Sequence, residues 1–201
     1  MELLLEILKR QETMKYMEML KRHHKETYEH SLRVSLRCIN LGFRNSLPGE
    51  EIELLGYAGL LHDIGKLDIP IEILSNSFPL TEREKKIVIS HPRIGFLKLK
   101  SPVFEDVRKI VIAHHEYQAN PYPRNRQNSQ NIVEKIGFEC RREKCEKISY
   151  LTQIVAITDM YDALISKRAY NKTIGRQEAE GIMKENFTGN RSYINLVLGS
   201  N

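Results

Sequence analysis

The sequence predicts an all-α protein, a bundle of about seven to nine helices. Apolar residues recur at the three- and four-residue spacing of amphipathic helices along most of the chain. The β-branched residues, which favour strands, show little clustering. A capping box, Thr81-Glu82-Arg83-Glu84, marks one helix start, because the Thr81 hydroxyl and the Glu84 carboxylate can each satisfy a first-turn amide.

The composition is that of one globular domain. The chain has 201 residues, enough for a sizeable core, and 41% of them are hydrophobic. No apolar run approaches the roughly 20 residues that cross a bilayer, and the acidic start of the chain is unlike a signal peptide. We therefore expect a cytoplasmic protein without a membrane span.

The charge of the chain favours anionic ligands in general terms. The formal net charge is +5, but the 31 basic and 26 acidic residues are interspersed and form no basic stripe. The spacings of helix-turn-helix, zinc-finger and ribonucleoprotein motifs are not recognisable. This argues against a nucleic acid polymer as the partner.

The three cysteines are an odd number and do not form a disulfide framework. Cys38 lies on a helical apolar stripe and is predicted to be a core residue. Cys140 and Cys145 lie in a charged segment, where they could chelate a metal or form a redox pair. Because no second ligand pair is nearby, we interpret them as ordinary thiols.

Residues 1–22 are predicted to form an amphipathic helix that precedes the main domain, residues 23–201. The apolar positions of this helix are Leu4, Ile7, Leu8, Met14, Met17 and Leu20. Such a stripe usually packs on the domain itself or on a second copy, which would make the protein a homodimer. A membrane-surface role is the less favoured alternative.

The next two predicted helices lead to a histidine-aspartate pair. A helix over about 26–43 carries His30 near its start. An apolar run over 54–61 then predicts a buried helix that ends at His62-Asp63. The chain is expected to turn at Gly65, so that both polar side chains point into the interior.

Further histidines follow at predicted helix boundaries. The helix that starts at the capping box runs to about residue 90, and Pro92 disfavours helical geometry for His91. A run over 103–115 ends in His114-His115-Glu116. Adjacent histidines on a helix point about 100° apart, so both serve one site only where the helix end abuts it or where two metals are bound. This spacing suits a dinuclear site.

The last third of the chain combines a polar segment with a long helix. Residues 117–147 are predicted to be a polar insertion that forms a lid or contacts substrate. The helix over 149–166 contains two acids, and a buried acid is costly unless it is paired or bound to a cation. Asp159 is therefore predicted to face inward, and Asp162 to be a surface or hydrogen-bonding residue. A final helical pair over about 175–186 and 193–198 closes the domain.

The stretch His62-Asp63-Ile64-Gly65-Lys66 organises the candidate site. Its imidazole and carboxylate offer a nitrogen and an oxygen ligand, and the two carboxylate oxygens can bridge two divalent cations. Lys66 could then meet an anion bound to those cations. Alone, such a doublet is more often a hydrogen-bonded polar pair at a helix end. Further ligand-type side chains beside apolar runs favour the metal site: His30, His91, His114, His115 and Asp159.

The order of these motifs resembles the HD superfamily of metal-dependent phosphohydrolases. Within it, the chain looks most like the HD-GYP branch, bacterial phosphodiesterases of cyclic di-GMP. The resemblance covers about residues 27–186 and implies the HD-domain helical bundle. The motifs that carry it are His30, His62-Asp63-Ile64-Gly65-Lys66, His91-Pro92-Arg93-Ile94-Gly95, His114-His115-Glu116 and Ile154-Val155-Ala156-Ile157-Thr158-Asp159-Met160-Tyr161-Asp162-Ala163-Leu164.

The resemblance also implies roles for single residues. Lys66 matches a phosphate-contacting lysine, and Arg168 matches an arginine that contacts phosphate. Glu26 matches a carboxylate that helps to hold a third metal in some members, although an ordinary first-turn acid is at least as good an interpretation. The implied metal ligands, with Asp63 bridging, are His30, His62, Asp63, His91, His114, His115 and Asp159.

The chain departs from the family pattern in the part that implies the substrate groove. The name-giving Gly-Tyr-Pro appears as Pro121-Tyr122-Pro123, which makes Tyr122 a candidate for substrate binding. Asn171 stands where a second arginine is expected. The implied metal site is complete, whereas the implied substrate groove is altered.

The predicted chemistry follows from the ligands. Two cations that share Asp63 would hold a bridging water, lower its pKa to give hydroxide, and bind the phosphoryl oxygens for in-line attack on phosphorus. Lys66 would offset the charge that grows on the nonbridging oxygens. The imidazole-rich ligand set suits Fe or Mn, with Zn, Ni or Co as alternatives and a third metal if Glu26 takes part.

We therefore predict an enzyme, a metal-dependent phosphodiesterase with cyclic di-GMP as its first candidate substrate. The alternative is an HD phosphohydrolase of another nucleotide or phosphoester, which the altered Gly-Tyr-Pro region favours. A second alternative is a catalytically idle signalling module that binds a nucleotide or a protein. Idle modules usually lose metal ligands, and the sequence retains all of the implied ones.

Overall fold

The computed structural model describes residues 1–122, 146–166 and 174–199. The helices in these ranges are α1 (Glu2–Lys9), α2 (Gln11–His23), α3 (Lys25–Arg44), α4 (Gly49–Leu61), α5 (Ile71–Leu74), α6 (Glu82–Val88), α7 (His91–Lys98), α8 (Glu105–Ala113), α9 (Glu146–Ile165), α10 (Arg176–Asn186) and α11 (Ser192–Leu198). Eight of these described α-helices have eight or more residues, and the prediction of an all-α fold is confirmed. None of the helices in these ranges combines the length and the apolar character needed to cross a membrane.

The core forms where α3 and α4 pack at close range. Ser35 Oγ donates a hydrogen bond of 2.7 Å to the Gly56 carbonyl oxygen. A Cβ atom at Gly59 would lie only 2.6 Å from Ser35 Cα, so any larger residue would push the two helices apart. This close approach brings the start of α3 to the end of α4, where the ring centroids of His30 and His62 are 5.2 Å apart.

A 3-10 helix at Ile64–Asp68 connects this helix pair to α7. A Cβ atom at Gly65 would overlap the His91 carbonyl oxygen and would lie 2.7 Å from the Gly95 amide nitrogen. The backbone of the His-Asp-x-Gly-Lys stretch therefore lies directly on the first turn of α7. As a result, Asp63 and His91 are neighbours although they are distant in sequence.

Residues 2–23 form two helices and not the single helix that the sequence predicts. Arg10 has an extended backbone with φ −65° and ψ 126°, which ends α1 and precedes α2. The bend allows both apolar stripes to face the same core. The buried apolar side chains of the two helices are Leu4, Ile7, Met17 and Leu20. Met14, which was predicted on the stripe, is 46% exposed. The segment thus packs on its own domain, and a homodimer contact through it stays a prediction.

Replacement of Leu20 tests whether the first two helices belong to the core. Leu20 is 0% exposed and lies in the main apolar cluster. We expect Leu20→Ala to lower the free energy of unfolding by about 2–5 kcal/mol, because it removes buried methyl groups and leaves a cavity. Met19→Ala is the control, since Met19 is 43% exposed, and its change should stay within about 0.5 kcal/mol. Equal urea midpoints for the two variants would contradict this packing.

Candidate metal centre

Most of the predicted ligands lie where helices begin or end. His62 directly follows α4, His91 is the first residue of α7, and His114 directly follows α8. Side chains at such boundaries can converge, because the backbone changes direction there. His30 and Asp159 come instead from the interiors of α3 and α9.

The structure brings the predicted ligands into one largely buried cluster. It contains three groups of three side chains, and the ligand atoms within each group lie within 4.8 Å of one another. The His91 group consists of His91, His114 and His115. The His30 group consists of His30, His62 and Asp63. The third group, His62, His114 and Asp159, joins the other two.

Asp63, itself a member of the His30 group, directs one oxygen toward His91 and the other toward His62 and His30. Its Oδ1 lies 3.1 Å from His91 Nε2, whereas its Oδ2 lies 3.4 Å from His62 Nε2 and 3.9 Å from His30 Nε2. Burial would raise the pKa of Asp63, but the Lys66 ammonium and His62 hold this pKa well below its usual range, so the carboxylate is charged. A charged carboxylate in this position can bind one cation through each oxygen.

Three imidazoles are held by the end of the helix that precedes each of them in the chain. His62, His91 and His114 each place Nδ1 at 2.6–2.9 Å from the carbonyl oxygen three residues earlier. The acceptors are Gly59, Val88 and Val111. Each lies in the last turn of a helix, where carbonyls lack partners within the helix. With the Nδ1–H bonded there, each Nε2 lone pair is directed toward the cluster, as in protein metal sites.

The electrostatics of the cluster fit a divalent cation. His62 Nε2 is buried and has no hydrogen-bond partner among the described residues, and a cation would satisfy this atom. Burial lowers the pKa of His114 well below its ordinary value and that of His115 to about 3, so both imidazoles are neutral and can act as ligands. Burial also acts to lower the pKa of His62, but the carboxylates of Asp63 and Asp159 raise it overall. Positive charge is therefore favoured between these carboxylates.

The two predicted substrate contacts that the structure describes adjoin the cluster. Lys66 Nζ donates to Asp63 Oδ2 at 2.7 Å. The ring centroid of Tyr122 lies 4.2 Å from that of His115 and 5.9 Å from that of His91. Their contacts with substrate stay predictions.

The other predicted site residues belong to none of the three ligand groups or lie outside the described residues. Glu26 is exposed in the first turn of α3 and belongs to none of the three ligand groups, so its part in a third metal site stays a prediction. Arg168, Cys140 and Cys145 lie outside the residues that the structure describes, as does most of the 117–147 insertion.

Asp162 is the site residue whose position the sequence left open. It is 0% exposed, so the surface interpretation is wrong and the hydrogen-bonding one is confirmed. Its Oδ2 lies 2.8 Å from His30 Nδ1. The spacing of three residues from Asp159 places both acids on one face of α9, and this periodicity could have identified Asp162 as an inward residue.

Comparison of this chain with known proteins identifies one matching family. The family model described as the HD domain matches residues 27–164. A cyclic di-GMP phosphodiesterase of Pseudomonas aeruginosa is 33% identical over 82% of this chain and 36% of its own length. A cyclic di-GMP phosphodiesterase of Thermotoga maritima is 31% identical over 77% of this chain and 38% of its own length. The 3'3'-cGAMP-specific phosphodiesterase 2 of Vibrio cholerae is 30% identical over 73% of this chain and 26% of its own length. The chain spans about a third of the length of the curated relatives it matches.

Solved structures show the same fold at lower identity. The HD domain of the L. monocytogenes phosphodiesterase PgpH superposes with a TM-score of 0.57 at 14% identity, covering 92% of this chain and 94% of that chain. A structure of the same domain in complex with cyclic di-AMP gives a TM-score of 0.57 at 15% identity, covering 92% of this chain and 93% of that chain. At this level of identity the likeness shows the fold, an all-α HD domain.

Proposed function

The chain belongs to the HD domain family, and on that premise we propose that it is a metal-dependent phosphodiesterase that hydrolyses a cyclic dinucleotide. The observation that carries the proposal is the position of Asp63, whose Oδ1 faces His91 while its Oδ2 faces His62 and His30. Two cations held on one carboxylate can act together on a single phosphodiester. Among the described residues, the three ligand groups contain every side chain that the resemblance implies for such a centre.

Cyclic di-GMP is the first candidate substrate. The relatives from Pseudomonas aeruginosa and Thermotoga maritima, which are 33% and 31% identical to this chain, are named cyclic di-GMP phosphodiesterases. A further relative is named for 3'3'-cGAMP, so the shared class is a cyclic dinucleotide with two phosphodiester bonds. We propose two divalent cations as cofactors, Fe or Mn in the first place, because imidazole outnumbers carboxylate in the ligand set.

The residues of the chain have distinct parts in the proposed reaction. When bound, the cations would supply Lewis acidity, which polarises the phosphoryl oxygens and activates a water for in-line attack. Asp63 would fix the separation of the two cations, and the histidines would hold them through neutral nitrogen atoms. The Lys66 ammonium, 2.7 Å from Asp63 Oδ2, would offset the negative charge that develops on the phosphoryl group. Tyr122, whose ring centroid lies 4.2 Å from that of His115, would contact the substrate beside the metals.

A second candidate function is hydrolysis of another nucleotide or phosphoester. It is favoured by the altered segment Pro121-Tyr122-Pro123 and by Asn171 in place of the second arginine. These departures affect the implied substrate groove and leave the cluster of ligands complete. The catalytically idle module ranks third, because the implied metal ligands are all retained.

Turnover measurements separate these functions. The full chain, loaded with Mn²⁺ or with Fe²⁺ under anaerobic conditions, is assayed on cyclic di-GMP, 3'3'-cGAMP and bis(p-nitrophenyl) phosphate. We expect cyclic di-GMP to be hydrolysed with a kcat/KM at least about a hundredfold above that of the aryl diester, a difference of roughly 2.7 kcal/mol in transition-state binding. Treatment with a chelator should abolish turnover, and addition of the metal should restore it.

The other outcomes have equally definite meanings. Turnover of the aryl diester alone would support the second candidate function and contradict the cyclic dinucleotide. No turnover by protein that has bound two cations would contradict both hydrolase proposals and leave the idle module.

A further inference from the structure

The carboxylate of Asp162 lies behind the metal ligands, on the side of His30 that faces away from the cluster. Its Oδ2 is 2.8 Å from His30 Nδ1, while His30 Nε2 is 2.9 Å from Asp159 Oδ1. His30 is therefore held between an acid that belongs to a ligand group and an acid that does not. Asp162 is 0% exposed, and such a buried charge persists only where it is well bonded.

Two arginines on α3, together with Ser166, supply the other bonds to this carboxylate. Arg33 donates through Nε at 3.0 Å to Oδ1 and through Nη2 at 2.9 Å to Oδ2. Arg37 Nε lies 3.4 Å from Oδ1, and Ser166 Oγ donates to Oδ2 at 3.1 Å. Burial would raise the pKa of Asp162, but the hydrogen bonds from His30 and Arg33 hold it below its usual range. Asp162 is thus an anion that is fixed from two sides.

His30 differs in this respect from the other three central imidazoles. His62, His91 and His114 donate Nδ1–H to neutral backbone carbonyls. Of these four imidazoles, only His30 has a charged carboxylate at Nδ1, the ring nitrogen that faces away from the cluster. An anionic acceptor makes an imidazole a stronger electron donor through its opposite nitrogen, and it also fixes the ring orientation. The cation at His30 is therefore expected to depend on Asp162, whereas the cation at the His91 group is not.

We propose that Asp162, held by Arg33, is a positioning residue for His30. It sets the affinity of the site for the cation at His30 and leaves the affinity for the cation at the His91 group unchanged. The proposal rests on the proposed function only in assuming that the cluster binds two cations. A plain structural role, in which Asp162 merely ties α9 to α3, makes a different prediction. With a plain structural role, loss of Asp162 would lower the stability of the whole domain and would reduce the binding affinity for both cations to the same extent.

The test is a metal titration that does not depend on turnover. Metal-free full chain is titrated with Mn²⁺ in a calorimeter, and the unliganded proteins are compared by thermal unfolding. For Asp162→Asn, which keeps the size but offers one acceptor oxygen to donors from both His30 and Arg33, we expect one cation to bind about 10–100-fold more weakly. The other cation should bind as in the wild type. Ser166→Ala is the matched control, because it removes a donor to the same carboxylate without touching His30, and both affinities should stay within about twofold of wild type.

A second variant keeps the proposal open to refutation if Asp162→Asn does not fold. Arg33→Gln leaves the Asp162 carboxylate and its bond to His30 in place but removes the two guanidinium hydrogen bonds that hold the carboxylate. It should therefore reduce the binding affinity for the same cation, but by a smaller factor. The proposal would be overturned if the cation affinities were unchanged in both variants, or if the affinities for both cations fell equally. Wild-type protein that binds two cations without hydrolysing any phosphodiester would contradict the proposed function and leave this inference standing.

Discussion

Asp63→Ala is expected to abolish both the retention of metal and the hydrolysis of phosphodiesters. The carboxylate contributes to the His30 group and also faces His91, so its loss would remove a ligand from both of the proposed cations at once. It also leaves the Lys66 ammonium, which lies 2.7 Å from Asp63 Oδ2, without its counter-charge and directed at the site. Because bound cations supply several kcal/mol of transition-state stabilisation, kcat/KM should fall by about a thousandfold or more.

Metal analysis after gel filtration, combined with the turnover assay, measures this effect. Asp68→Ala is the control: Asp68 is exposed at the end of the same 3-10 helix and pairs with Lys98 at 2.7 Å. A surface ion pair of this kind is worth about 0–1 kcal/mol, so metal content and activity should be unchanged. Normal activity in Asp63→Ala would refute the bridging role, and loss of one cation alone would assign Asp63 to that cation.

Gly65→Ala is expected to destabilise the domain strongly, although it adds only one methyl group. The added Cβ would overlap the His91 carbonyl oxygen and lie 2.7 Å from the Gly95 amide nitrogen, and both are backbone atoms that cannot rotate away. The 3-10 helix and α7 would have to separate. We expect the free energy of unfolding to fall by about 3 kcal/mol, the upper end for overpacking, and metal retention to fall with it because Asp63 and His91 move apart.

Gly181→Ala provides the matched control for this change. Gly181 lies within α10, and a Cβ there would have nothing within 4 Å. Alanine in an open helical position should raise the stability by about 0.4–1 kcal/mol, because it reduces the conformational freedom of the unfolded chain. Denaturation curves of the two variants should therefore shift in opposite directions. A Gly65→Ala variant as stable as the wild type would show that α7 can be displaced at little cost.

Local signals in the sequence predicted the helices well. The capping box at Thr81 is present, with the Glu84 amide bonded to the Thr81 hydroxyl and the Glu84 carboxylate bonded to the Thr81 amide. The long helix predicted over 149–166 is α9, Glu146–Ile165, and the final pair is found as α10 and α11. Such signals act within a few residues of one another, so they can be read without knowledge of the fold. The resemblance to the HD superfamily is confirmed by the family model over residues 27–164.

Features that depend on distant parts of the chain could not be predicted in the same way. The bend at Arg10 exists because Leu4 and Leu20 face the same core, and their spacing alone is equally compatible with one straight helix. His30, Arg33 and Arg37, which bond to Asp162, lie more than 120 residues away on α3, so periodicity can show that Asp162 faces inward but not which of these groups it meets. The resemblance led to the ligand cluster because it supplied this missing long-range information.

The three imidazoles that bond to the last turns of α4, α6 and α8 have a further electrostatic consequence. The carboxyl end of a helix carries about half a negative charge from its aligned peptide dipoles, so the three helices add to the negative potential of Asp63 and Asp159. A phosphate group approaching the metal-free site would be repelled. We therefore expect the cations to load first and to reverse the sign of the potential before the site can accept an anionic substrate.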